Sequence, residues 1–87
     1  MKWQEALNDY TLYLKIERGL ALNSVENYSR DIQKLILFLA ENEIKESPIA
    51  IKDETIQQFI YEVSKQVNAR SQSRIISGLR SFFDYLI

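Results

Sequence analysis

The apolar positions of this chain fall into four blocks at helical spacing. Trp3, Ala6, Leu7, Tyr10, Tyr13 and Leu14 recur every three or four residues. That is the signature of one buried helix face. Gly19 follows and stops a helix running from about Lys2 to Arg18. A second stripe, Val25, Tyr28, Ile32, Leu35, Ile36 and Leu39, starts after Asn23. Asn23 with Glu26 three residues on reads as an N-cap and capping box. Leu37 and Phe38 lie off this stripe, so the second helix presents a wide apolar surface and is expected to be central, packed on more than one side. Pro48 breaks the next stretch and predicts a loop over 42–52. Asp53 reads as a cap for a third helix with Ile56, Phe59, Ile60 and Val63 inside. Asn68, with Ser71 as the alternative, opens a fourth helix. Ile75, Ile76, Leu79, Phe82, Phe83 and Leu86 form its apolar face.

The pattern predicts an all-α four-helix bundle with loops near 19–22, 42–52 and 66–70. Trp3, Leu7, Tyr28, Ile32, Leu35, Phe59, Ile75, Leu79 and Phe82 are its expected core. Eighty-seven residues, 46% of them apolar, suffice for one small core. Two glycines and one proline argue against a turn-rich β fold.

Composition removes most chemistry. There is no cysteine and no histidine. Disulfides, thiolate metal sites and Ser-His-Asp or Cys-His constellations cannot form. Gly19 and Gly78 are too far apart for a phosphate-cradling loop. Carboxylates such as Asp53 with Glu54, or Glu41 with Glu43, read as solvated helix ends and loops. The tyrosines read as structural. No cofactor, metal or catalytic residue is assigned. No apolar run approaches a membrane span and no secretory signal is visible, so the expected location is cytoplasmic.

Net charge is −1, which by itself does not point to nucleic acid. Its distribution is uneven. Residues 41–62 carry two basic and six acidic groups, while residues 63–87 carry four basic groups against Asp84 alone. On the polar side of the fourth helix stand Arg70, Arg74, Ser77, Ser81 and Asp84, with Ser73 and Arg80 at its edge. Arg suits phosphate and guanine, and Ser permits close approach. The second helix offers Ser24, Asn27, Arg30 and Lys34 in the same idiom. The candidate DNA-binding set is therefore Ser24, Asn27, Arg30, Lys34, Arg70, Ser73, Arg74, Ser77 and Arg80. Arg74 and Arg80 stand about 9 Å apart along the helix axis. Arg74 is expected on the exposed face, dispensable for folding. Arg80 has an alternative role as a partner for Asp84 one turn on.

Three motifs occur in order: Glu17-Arg18-Gly19; then Asn23, Ser24, Tyr28, Arg30 and Asp31; then Ser71, Arg74, Ser77, Arg80, Phe82, Phe83, Tyr85 and Leu86. Together they resemble the N-terminal core-binding domain of tyrosine recombinases, the Xer-type and phage-integrase-type enzymes. The resemblance covers essentially the whole chain. It implies a SAM-like four-helix orthogonal bundle over residues 1–87 that grips double-stranded DNA with its second and fourth helices. It also implies a linker, a separate catalytic domain outside this chain, and other recombinase protomers as partners in a synaptic complex. The family's strand cleavage and rejoining, through a phosphotyrosyl intermediate, would belong to that second domain. The alternative reading is a helical protein–protein interaction module, with Leu37 and Phe38 as its exposed contacts.

Overall fold

A computed structural model describes residues 2–86 of the chain. Four helices follow one another: α1 (Trp3–Ile16), α2 (Leu22–Glu41), α3 (Asp53–Ser64) and α4 (Ala69–Leu86), with no strand among the described residues. None of these helices is long and apolar enough to cross a membrane. The core is drawn from all four. Ala6, Leu7, Tyr10 and Leu14 meet Val25, Ile32, Leu35 and Leu39, then Phe59 and Val63, then Ile75, Leu79 and Phe82. Seven of the nine expected core residues are buried. Trp3 and Tyr28 are half-buried and pack against the core from its edge. Their rings are large enough to reach the interior while leaving one edge in solvent.

The helix boundaries correct several expectations. α1 ends at Ile16, short of Arg18. The Glu17 and Arg18 N–H groups both turn back to the Tyr13 carbonyl. Gly19 then takes φ 60°, and Leu20 donates to the Leu14 carbonyl at 3.1 Å. This reversal starts α2 earlier than expected. Ala21 is its N-cap and Asn23 is already helical, with no side-chain capping bond, so the capping box does not form. α2 ends in a Schellman turn, with Ile44 donating to Leu39 and Glu43 to Ala40. Glu43 holds the left-handed position at φ 54°, where glycine is usual. Lys52, not Asp53, is the N-cap of α3. Asp53 and Glu54 instead occupy its first turn, where their charge favours the helix dipole. At α4 the first choice of cap is the one used, and the Ser71 N–H donates to the Asn68 side-chain oxygen at 2.8 Å.

The 42–52 loop is tied down by one residue that periodicity does not mark. The Glu46 carboxylate accepts the Lys52 N–H at 2.9 Å and the Thr55 hydroxyl at 2.9 Å. Its backbone carbonyl accepts the Trp3 indole N–H at 2.8 Å. One residue thus joins α1, the loop and the start of α3. The Lys52 N–H bond is the main cause holding the Glu46 carboxyl below its ordinary value of 4.5. A lowered folded value means that the ionised form is the stabilising one. That contribution is present above pH 4.5 and lost as the pH falls through the folded value. The stability difference between wild type and Glu46→Gln should therefore be measurable in urea at neutral pH and vanish in acid. A difference that persists unchanged at low pH would count against this role.

Candidate nucleic-acid interface

The α2–α4 seam is where the candidate residues meet. α4 carries its apolar stripe inward and places Gly78 against α2. A Cβ on Gly78 would lie 3.3 Å from the Tyr28 ring and 3.9 Å from the Asp31 carboxylate. The missing side chain lets the two helices approach closely enough for a direct bond across the seam. Asp31 is fully buried. Its two oxygens accept from Arg74, Oδ2 from Nε at 3.1 Å and Oδ1 from Nη2 at 2.9 Å. Asp31 in turn raises the Arg74 pKa above its ordinary value, by these hydrogen bonds first and then by charge. The Arg74 side chain remains 43% exposed.

This corrects the sequence reading of Arg74. It lies on the accessible side of α4, but its guanidinium is the sole partner of a buried carboxylate among the described residues. It therefore also helps hold α4 on α2. The sequence held a signal for this. Asp31 sits one turn from Tyr28 and Leu35, at core spacing on α2, and a carboxylate there requires a cation.

The other candidates are all at least partly accessible, but they do not form one patch. Asn27 and Lys34 lie one turn either side of Asp31, and Arg70 and Ser77 one turn either side of Arg74, so these four flank the pair. Ser24 is half-buried, one turn further toward the start of α2. Lys34 also lines a cleft between α2 and α3 in which Glu41 and Glu62 offset its charge. Arg30 faces elsewhere, into a cleft with Lys15 and Thr11 of α1. Arg80 is exposed and, with Ser77 of the seam, borders a cleft that also takes in Arg18, just beyond α1. It makes no ion pair with Asp84, so that alternative is not realised; the ion pairs among the described residues are Arg74–Asp31 and Lys65–Glu62. Ser73 is exposed. Ser81 lines the same cleft as Ser77, Arg80 and Asp84, and its hydroxyl also accepts the buried Tyr10 hydroxyl at 2.8 Å. Burial is the main reason the Tyr10 pKa lies above its ordinary value.

The sequence of this bundle has a match among known families. The sequence model of the phage integrase N-terminal SAM-like domain matches residues 7–87. The chain belongs to this family. Its four-helix SAM-like class follows with it. A tyrosine recombinase of Pseudothermotoga lettingae is 36% identical over 95% of this chain, and the aligned part is 29% of that protein. The tyrosine recombinase XerD of Listeria innocua is 29% identical over 95% of the chain and 28% of its own length. XerD of Halalkalibacterium halodurans is 30% identical over 93% of the chain and 27% of its length. The chain thus spans somewhat over a quarter of the curated relatives it matches. No solved structure matches it.

The interaction-module alternative loses part of its support. Phe38 is not an exposed contact: its ring lies 5.4 Å from that of Phe59 and packs against the core. Leu37 is exposed at 58%.

Proposed function

We propose that this integrase N-terminal domain binds duplex DNA through its α2–α4 seam. Strand cleavage and rejoining would then be carried out by a separate catalytic domain of the same recombinase. The observation that carries this reading is the family match over residues 7–87. The seam supplies a physical surface for it. Arg74, flanked by Asn27, Lys34, Arg70 and Ser77, would meet the phosphates. Ser24 and Ser73 would permit close approach. Arg30 and Arg80, at the margins, would reach adjacent backbone. The role is grip and orientation, with other recombinase protomers assembling on the same DNA in the cytoplasm. With no histidine or cysteine and no nucleophile set, the chain itself would leave the phosphodiester intact.

A domain of net charge −1 with few cations on one face can neutralise only a few phosphates. Binding to a short duplex should therefore be weak and strongly salt-dependent, with log affinity falling against log salt at about −0.9 per phosphate contact. Fluorescence anisotropy titrations at several salt concentrations read this slope. Binding that ignores salt, or none even at low salt, would refute the proposal.

A further inference from the structure

We propose that Asp31, which contacts no DNA in this scheme, is a positioning residue that aims Arg74 at the duplex. The inference rests on the DNA-binding reading above. A guanidinium has five N–H donors fixed in one plane. Asp31 takes two of them, from Nε and Nη2. The other three find no partner among the described residues, and nearly half of the side chain is in solvent. A planar fork held along one edge must present its opposite edge in a set direction. The pair stands on the α2–α4 seam, with Asn27 and Lys34 one turn either side of Asp31 and Arg70 and Ser77 one turn either side of Arg74.

Two features make the clamp rigid. Asp31 is fully buried, so its carboxylate is fixed by the core rather than by solvent. Gly78 packs α4 closely on α2 beside the pair, since a Cβ there would stand only 3.3 Å from the Tyr28 ring. A buried ion pair is a poor device for stability, because apolar residues of similar volume serve as well or better. What it provides is a fixed geometry. An arginine already held in place loses less rotamer freedom when it meets a phosphate.

The proposal predicts an effect opposite in sign to that of charge alone. Asp31→Asn takes the net charge from −1 to 0. If only charge mattered, removing an anion beside the DNA face should tighten binding. If Asp31 positions Arg74, the amide breaks the fork, since its NH₂ group faces an N–H donor, and binding should weaken. A loss of roughly tenfold is expected at low salt, the equivalent of about 1.4 kcal/mol. The salt slope should also become shallower by about 0.9, one phosphate contact. A purely structural role would not move the slope, because an unfolded fraction lowers the active concentration without changing the contacts of the folded molecules.

The experiment is anisotropy with a short synthetic duplex on wild type, Asp31→Asn and Arg74→Lys, with thermal melts of each. Arg74→Lys keeps the charge but replaces the fork by a point donor, and should weaken binding in the same direction. It carries the test if Asp31→Asn fails to fold. Affinity and slope at or above wild-type values in folded Asp31→Asn, or failing that in Arg74→Lys, would overturn the positioning role. Absence of duplex binding by wild type itself would instead remove the DNA reading on which the role rests.

Discussion

Phe82→Ala is expected to cost about 3–5 kcal/mol of folding stability. In a small domain with a total of about 5–15 kcal/mol this is enough to leave it marginal. Phe82 has no exposed surface. Its ring centroid lies 5.2 Å from Tyr10 in an edge-on arrangement and 6.2 Å from Trp3 in a stacked one. Phe83 stands 5.2 Å away on the same helix. The residue is therefore the centre of an aromatic cluster that joins α1 to α4, and Trp3 continues it to the 42–52 loop through Glu46. Truncation leaves a cavity that rings on two helices cannot close without moving. Urea denaturation followed by tryptophan fluorescence measures the loss directly, because Trp3 reports on this cluster. Ile16→Ala is the control: Ile16 is 76% exposed, and its removal should change stability by no more than about 0.5 kcal/mol. A Phe82→Ala loss below about 1 kcal/mol would mean that the aromatic cluster does not tie α4 to α1.

The same cluster illustrates what sequence could and could not reveal. Periodicity located Phe82, Leu79, Ile75, Ile32 and Leu35 in the core, because a long amphipathic helix has one economical way to face its neighbours. It also located the loops to within a few residues. It failed where a contact depends on residues distant in sequence. Trp3 and Glu46 are 43 residues apart, as are Asp31 and Arg74. Nothing in a local pattern pairs them. Ser81 lines a surface cleft, as its hydroxyl suggested, but it also receives the one polar atom that the buried Tyr10 brings inside. Phe38 looked exposed because it lies off the α2 stripe, but α3 packs on that flank through Phe59. Asn23 and Glu26 had the right letters for a cap, but the turn at Gly19 starts the helix two residues before a cap at Asn23 would allow. The candidate interface was legible in kind, as cations and hydroxyls on two helices. Its division into a seam and two clefts needed the packing.

Arg74→Ala should have two separable effects, one on folding and one on DNA. The folding effect arises because Asp31 is left buried with no partner. Breaking a fully buried pair from one side costs about 3–5 kcal/mol. Arg74 is 43% exposed, so water can take part of its place, and roughly 1–3 kcal/mol is the expected loss. The DNA effect follows from the proposed contact of Arg74 with the phosphates. A combined replacement separates the two. Asp31→Leu with Arg74→Met removes both charges and fills the space with apolar groups, which is close to neutral for stability when both partners go together. The double variant should therefore recover to within about 1 kcal/mol of wild type in urea. Its affinity for duplex DNA should nevertheless stay as low as that of Arg74→Ala. Recovery of both stability and affinity would show that Arg74 acts on DNA only by keeping α4 seated on α2. Recovery of stability alone would establish that the guanidinium itself is what the duplex meets.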